Sequence, residues 1–455
     1  MKEYQRTTKY WLNPIYKFRE EYWGLQAYHL IKPTYQITDD AVKVLQECDG
    51  KTLKEIVQQT GFEKSYVGEL LNFVKTKELV IQSKPKRINK IITRCFKRPY
   101  CKSSPDGIFL EITHRCNLNC IHCYTNSGVS NIDRTKELST QQIKQLINDA
   151  SRIGVFIFSI GGGEPFMRKD IYDILKFGYQ KNIEMIPVTN GHFINKNSIL
   201  NLKNSGVGQI IVSLDGSRSE THNRIRRADS YAIVIKSIKL LVESDFRVFV
   251  NYVVNKINLS EVEDVIKLVK KLGISLFRAI RLTPFGRSQK HKDELSLSVD
   301  EYFKFVKLLN ILSPIYNDKN FRIEKDEAFL GLLDPTFNLK RMPWLPDKYR
   351  GCPAARSFIF IDPCGDVYPC GYLNLPEFKI GNLKEKSIVE IWEDDNNKIL
   401  KIFRRMKKLN NYCESCPNLR SCQGGCRALA YLKHFNLYSP DPLCIRRLSK
   451  VQDLD

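Results

Sequence analysis

Cys116-Asn-Leu-Asn-Cys120-Ile-His-Cys123-Tyr124 is the stretch on which the reading of this chain turns. It comes after Phe109-Leu-Glu-Ile-Thr113, whose alternation predicts a strand, so the cysteines fall in a strand-end loop. Three thiolates at CxxxCxxC spacing can hold three irons of a cubane [4Fe–4S] cluster and leave the fourth iron without a protein ligand. An open iron can bind a small molecule through nitrogen and oxygen. A three-cysteine site therefore points to chemistry, where a four-cysteine site points to electron wiring. Thiolates also suit zinc, and His122 lies inside the loop as an available fourth ligand.

The downstream sequence favours the cluster. Gly161-Gly-Gly-Glu164-Pro165 closes the apolar run Val155-Phe-Ile-Phe-Ser-Ile160, and Val188-Thr-Asn-Gly191 and Ile211-Val-Ser213-Leu-Asp215-Gly216 close two later ones. Over about residues 105–290 these motifs, in this order, resemble the radical S-adenosylmethionine (SAM) enzymes. Strand-like runs near 107–112, 155–160, 184–189, 209–214, 246–253 and 275–282 alternate with helical ones near 139–153, 169–181, 196–205, 230–244 and 259–272. The fold class expected is α/β, a partial (β/α)6 barrel with its chemistry at the C-terminal strand ends. The resemblance implies that Cys116, Cys120 and Cys123 hold a [4Fe–4S] cluster whose open iron chelates SAM. Gly162 and Gly163 would let the backbone approach the methionine, and Glu164 would accept from its ammonium. Ser213 would reach the ribose or carboxylate, Asn190 is a further contact, and Tyr124 would cover the cluster and adenine side. In relatives an arginine from a stretch like His222-Asn-Arg224-Ile-Arg226-Arg227 pairs the SAM carboxylate; the resemblance does not say which of the three, and Arg224 is the candidate.

Composition sets the bounds. The 455 residues suffice for two or three domains, and no apolar run approaches the roughly 20 residues needed to span a bilayer. The first residues lack the apolar segment of a secretory signal, so a cytoplasmic protein is expected. Fourteen cysteines, mostly clustered, then point to metal rather than to disulfides. A net charge of +22 admits nucleic acid, an anionic membrane or an acidic peptide as partner, but its basic residues are dispersed and form no basic-aromatic array for stacking bases. Neither a membrane nor nucleic acid is the partner expected.

Residues 1–85 read as short strands followed by three helices, a winged-helix-like module. Such modules bind DNA. The pattern Ile37-Thr-Asp-Asp-Ala41, Val44-Leu45 and Asp49-Gly-Lys-Thr-Leu53 also resembles the peptide-recognition element fused to enzymes that modify ribosomally made peptides. In that family a leader peptide adds a strand to a sheet edge, here expected near residues 28–32, and packs against the third helix near Leu70 and Phe73. Residues 86–104 read as a basic linker, 105–290 as the barrel, 291–345 as a bridge with helices from Ser298 and from Glu324, and 346–455 as a cysteine-rich domain.

That last region carries Cys352, Cys370, Cys413-x2-Cys416-x5-Cys422-x3-Cys426 and Cys444. Two zinc ribbons would use a similar count. The pattern also matches the SPASM extension of radical SAM enzymes, which implies one auxiliary [4Fe–4S] cluster on Cys352, Cys370 and Cys426 and another on Cys413, Cys416, Cys422 and Cys444, three clusters in all. Cys364 is a local candidate for the missing ligand of the first. The related sulfatase-maturing enzymes place a basic aspartate after the cysteine equivalent to Cys370; Gly371 stands there, which lowers that reading. The expected function is a radical SAM enzyme that forms a thioether or carbon–carbon crosslink in a precursor peptide, supplied with electrons by a flavodoxin or ferredoxin. A tetrapyrrole substrate is the alternative, and a zinc protein that binds nucleic acid the non-enzyme rival.

Overall fold

The computed structural model describes residues 8–14, 16–21, 24–28, 35–37, 39–85, 90–93, 101–128, 134–325, 351–405, 409 and 411–444. Expectations for Cys95, for most of the linker and for residues 342–346 lie outside them. The chain forms two compact units, Met1–Asp106 with Arg152–Phe156, and Gly107–Ser151 with Ile157–Asp455.

In the first unit β1 (Lys9–Leu12) lies between β5 (Asp49–Thr52) and β6 (Val80–Ile81). A second sheet has the order β4 (Tyr35–Ile37), β3 (Gly24–Tyr28), β2 (Lys17–Glu21), β7 (Ile91–Ile92). Helices α1 (Asp39–Gln46), α2 (Leu53–Thr60) and α3 (Lys64–Thr76) bury Val44, Leu45, Ile56, Val67, Leu71 and Val74. Thr52 and Glu55 form a reciprocal capping box at the start of α2, and Gly61, with φ of +71°, ends it. Leu70 packs partly against this core, whereas Phe73 is 51% exposed.

The sheet edge expected near residues 28–32 falls mostly outside the described residues. Tyr28 lies in β3, which is paired on both sides, and residues 29–32 lie outside the described residues. Among the described residues the sheet has two edges, β4, which pairs β3 alone, and β7, which pairs β2 alone.

β2, Lys-Phe-Arg-Glu-Glu, has no strand-like hydropathy, yet Arg19 and Glu21 are buried. Arg19 donates to Glu21 Oε1 at 2.7 Å, Ser104 Oγ at 2.6 Å and Asp106 Oδ1 at 2.7 Å, and its guanidinium lies 4.5 Å over the Phe156 ring. Buried charge is tolerated where every donor finds an acceptor.

The second unit is built on one sheet of order β14-β13-β12-β11-β10-β9-β8-β15-β16-β17. β8 (Gly107–Glu111), β9 (Ile157–Gly161), β10 (Glu184–Thr189), β11 (Gln209–Ser213), β12 (Arg247–Val254), β13 (Leu276–Arg281) and β14 (Arg322–Lys325) run parallel in succession. Between them lie α4 (Thr140–Arg152), α5 (Ile171–Gln180), α6 (Lys196–Asn204), α7 (Ser219–Arg226), α8 (Tyr231–Glu243), α9 (Val262–Lys271) and α10 (Val299–Tyr316). This is the expected partial barrel, with two additions. The helix expected from Glu324 starts instead as β14, because Arg322-Ile-Glu-Lys325 pairs the edge of β13. From the C-terminal region, β15 (Phe358–Ile361) joins β8 in parallel, and β16 (Asp366–Tyr368) and β17 (Gly381–Asn382) extend the sheet antiparallel.

Register identifies the inner face. Phe109 pairs Ser159, Glu111 pairs Gly161, Val188 pairs Ile211, and Ser213 pairs Asn251, which pairs Arg278. Phe109, Ser159, Val188, Ser213, Asn251 and Arg278 are half-buried between fully buried neighbours. Side chains alternate across a strand, so this row is one continuous face lining the lumen.

Candidate active site

The cysteine loop and the glycine turn after β9 lie flat against each other. Gly163 N donates to Thr113 O at 2.8 Å, and Glu164 N to Arg115 O at 2.7 Å. A Cβ on Gly162, whose φ is +124°, would fall 2.4 Å from Thr113 O, and one on Gly163 2.0 Å from Arg115 O. No side chain fits, which is why both positions are glycine. Glu164 is wholly buried and accepts from Thr189 Oγ1 at 2.8 Å, Asn190 N at 2.8 Å and Phe166 N at 3.2 Å. Burial pushes its carboxyl up to about 7 against those bonds. Asn190 in turn donates to Asn117 Oδ1 at 2.8 Å and stands 4.0 Å from Cys116 Sγ. Gly162, Gly163, Glu164 and Asn190 are thus brought together beside Cys116. Ser213 ends β11 on the lumen face.

Arg224 is not brought there. Its side chain is 60% exposed and pairs Glu294 at 2.8 Å. Arg226 is the arginine at the site: Nη1 lies 3.7 Å from Cys120 Sγ and Nη2 is 2.6 Å from Asp215 Oδ2. Two positions on a helix are about 200° apart, so Arg224 and Arg226 cannot face the same way. His222, Ile225 and Arg226 are the buried residues of α7. Their i, i+3, i+4 spacing around an apolar isoleucine is the sequence signal that singles out Arg226. Asp215 also takes His122 Nε2 at 3.3 Å. Burial opposes its ionisation, but Arg226 and His122 prevail and hold the carboxyl well below its usual range. Burial, helped by Arg226, lowers His222 to about 3, so it is neutral, and its Nδ1 accepts from Asp215 N at 3.1 Å. The grouping of Asp215, His122 and Arg226 is absent from the sequence expectations; only the fold brings the three together.

Tyr124 is held from three sides. Its hydroxyl donates to Glu111 Oε1 at 2.8 Å, its ring meets Tyr372 edge-on at 5.5 Å, and a Cβ on Gly286 would fall 2.2 Å from its carbonyl. Burial pushes Glu111 up to about 8, with the Tyr124 bond opposing.

Around this pocket several buried polar atoms have no hydrogen-bond partner among the described residues: Arg226 Nε, His122 Nδ1, His222 Nε2, Glu111 Oε2 and Asn251 Oδ1. Buried orphans of both polarities suit a polar, zwitterionic ligand. The three cysteines, with Arg226 and Leu118 N (3.5 Å from Cys116 Sγ) beside their sulfurs, suit an anionic iron–sulfur cluster.

The C-terminal cysteines divide into two groups. Cys413, Cys416, Cys422 and Cys444 line one small apolar cavity with Tyr412, Leu419 and Asp441. Cys426 is not part of it; it is half-buried, with Arg281, Asp441 and Cys352 around it. Cys426 N donates to Asp441 Oδ2 at 2.8 Å, and Arg281 Nη1 donates to the same oxygen at 3.0 Å. Cys370 precedes the short turn Gly371–Leu373, where Gly371 lies against Tyr124. The charged neighbours of Cys364 are Asp362, Lys384, Asp366 and Glu137, none of them a cysteine.

Residues 110–269 match the model of the radical SAM superfamily, and residues 352–417 match that of an iron–sulfur cluster-binding domain, SPASM. An AdoMet-dependent heme synthase of Methanosarcina barkeri is 30% identical over 358 residues, 76% of this chain and 98% of that one. The chain belongs to the radical SAM superfamily. A mycofactocin maturase of Mycobacterium ulcerans is also 30% identical, over 75% of this chain and 88% of its own. Among solved structures, Streptococcus suis SuiB bound to its precursor peptide SuiA superposes with a TM-score of 0.74 at 18% identity, covering 96% of this chain and 100% of SuiB. That likeness shows the fold. As a radical SAM/SPASM enzyme the protein uses SAM and [4Fe–4S] clusters, and the cysteine loop, glycine turn and C-terminal cavity fit them. When bound, these groups supply reductive cleavage of SAM to a 5′-deoxyadenosyl radical. Among the described residues no helix is long and apolar enough to cross a membrane.

Proposed function

We propose that this enzyme crosslinks a ribosomally made precursor peptide, forming a thioether or carbon–carbon bond after hydrogen abstraction. The observation that carries the reading is the first unit. Its edge strand β4 and helix α3 stand side by side, bridged by Lys77, whose Nζ sits 5.9 Å over the Tyr35 ring and 5.8 Å over the exposed Phe73 ring. An extended leader would add a strand at Tyr35–Ile37 and rest apolar side chains on Phe73. SuiB, the structural neighbour that covers nearly the whole chain, was solved with a precursor peptide, whereas the heme synthase covers 76%.

In this reading Cys116, Cys120 and Cys123 hold the cluster that chelates SAM. Gly162, Gly163 and Glu164 receive the methionine end, Arg226 takes the carboxylate in place of Arg224, and Ser213, Asn190 and Tyr124 complete the pocket. Cys352, Cys370 and Cys426 serve one auxiliary cluster; Cys413, Cys416, Cys422 and Cys444 serve the other. A flavodoxin or ferredoxin supplies the electron, in the cytoplasm.

The test is an anaerobic assay with SAM, a chemical reductant and the peptide encoded beside the gene. It should give 5′-deoxyadenosine and a peptide lighter by two hydrogens per crosslink, both lost in a Cys120→Ala variant. Deoxyadenosine without a mass change would exclude that peptide. The heme synthase relative favours one second reading, a tetrapyrrole substrate, and turnover of iron-coproporphyrin would establish it.

A further inference from the structure

Crosslinking by the proposed route must dispose of a proton, and the role inferred here for Glu111 rests on that route. The 5′-deoxyadenosyl radical takes one hydrogen atom from a substrate C–H, giving 5′-deoxyadenosine and a carbon radical. When that carbon joins a cysteine sulfur, or a second carbon, the partner's S–H or C–H bond breaks. One proton and one electron leave. An iron–sulfur cluster held by the C-terminal cysteines would take up the electron. The proton needs a base at the lumen.

Among the described residues five carboxylates stand around the cysteine loop, and four of them each take two or more donors. Glu164 accepts from Thr189, Asn190 and Phe166. Asp215 is neutralised by Arg226 and His122 and accepts from Val253 N. Glu137 accepts from Thr113 Oγ1 and His114 N, which fastens the loop's entry. Asp362 accepts the amides of Cys364 and Asp366, both through Oδ1, and is fixed in its own turn.

Glu111 differs. It ends β8 on the row that lines the lumen, two residues beyond the half-buried Phe109. Its Oε1 takes the Tyr124 hydroxyl, while Oε2, buried with the rest of the residue, has no partner among the described residues. We infer that Glu111, through Oε2, is the catalytic base that receives the substrate's proton. The titratable groups facing it are the Tyr124 hydroxyl and the Asp362 carboxylate. Desolvation makes its charged form costly, which suits a group that must accept a proton near neutral pH.

The quantity to measure is crosslinked peptide formed per 5′-deoxyadenosine, over a range of pH, with the peptide encoded beside the gene. Glu111→Gln keeps the shape and loses the base; the ratio should fall on the order of a hundredfold, and its rise with pH should vanish. Glu111→Asp withdraws the carboxylate without removing it, so an intermediate ratio with the pH rise retained is expected. Tyr124→Phe removes a bond that lowers the Glu111 pKa, so the rise should move to higher pH. A merely structural role would not move that profile. Equal ratios in wild type and Glu111→Gln overturn the inference, as does a wild-type pH rise that persists in the variant. A second measurement needs no peptide: the infrared difference between wild type and Glu111→Gln should show a protonated-carboxyl band that disappears as pH rises. Absence of that band across the pH range overturns the inference even if the peptide proves to be the wrong substrate. Lack of deoxyadenosine in wild type counts against the proposed function and leaves the infrared result to decide the role of Glu111.

Discussion

The cysteine loop of the barrel and the C-terminal cysteine array are assembled from the same parts in opposite order. Each rests on a glycine pair, Gly162 with Gly163 or Gly424 with Gly425, and each is backed by a buried arginine–aspartate pair. At the barrel loop the arginine faces the sulfur: Arg226 is 3.7 Å from Cys120 Sγ, and Asp215 stands behind it. At the C-terminal array the aspartate faces the cysteine: Asp441 Oδ2 accepts Cys426 N at 2.8 Å, and Arg281 stands behind. The first arrangement puts positive charge against thiolates and whatever anion joins them. The second fixes the path of the backbone and keeps the charge one step away. One site is organised by charge, the other by geometry.

The largest expected effect comes from the glycines. In Gly163→Ala the new Cβ meets a backbone carbonyl, Arg115 O, at 2.0 Å. That carbonyl also accepts Glu164 N, so it cannot retreat without unpinning the two loops. Deoxyadenosine formation should fall by about a hundredfold or more, the scale of a misplacement near 1 Å. In Gly425→Ala, where φ is +77°, the Cβ meets the Asp441 side chain at 2.7 Å and would push it off Cys426 N and Arg281, away from the barrel loop. That variant should keep most deoxyadenosine formation and lose C-terminal iron. Equal losses in one assay of both products would break the distinction.

The arginines come next. Arg226→Gln leaves Asp215 buried with only His122 to offset it, and breaking such a pair costs about 3–5 kcal/mol. SAM affinity, read by anaerobic calorimetry, should drop by about tenfold or more. Arg224→Gln removes an exposed pair with Glu294 and should change affinity less than about twofold. Arg281→Gln should leave SAM affinity near wild type and reduce iron retained by the C-terminal region. Should Arg224→Gln match Arg226→Gln, the arginine assignment fails.

Legibility in the sequence divides along the same line between charge and geometry. The barrel strands and helices announce themselves because each buries an apolar face, and the glycine turn because nothing larger fits. β2 does not, since Arg19 and Glu21 are buried by bonding one another and the Ser104–Asp106 segment, a pairing that hydropathy cannot register. β14 reads as a helix start because a four-residue edge strand is decided by its neighbour β13 rather than by its own composition. Arg224 and Arg226 read alike in a run of basic residues until the buried face of α7 is drawn. The division of the C-terminal cysteines is legible only through the family's pattern; spacing alone allows two zinc ribbons.

The aspartates provide the smallest and most discriminating effect, because the comparison requires their order to invert. In Asp215→Asn, Arg226 loses a partner but keeps its reach to Cys120, and an anionic cluster with the SAM carboxylate can take over the released charge. Deoxyadenosine formation should fall only about threefold, within the range of one weakened charged hydrogen bond. In Asp441→Asn one oxygen becomes an amide nitrogen. Leu443 N holds Oδ1 and both Cys426 N and Arg281 hold Oδ2, so wherever the amide points a donor meets a donor. Iron retained by the C-terminal array should fall more than SAM cleavage does, and product per deoxyadenosine should fall with it. Thus arginine loss should hurt the barrel site more, and aspartate loss the C-terminal site more. Parallel losses in both pairs of variants would mean that the two ion pairs play the same part, and that the contrast between a site held by charge and a site held by geometry does not exist.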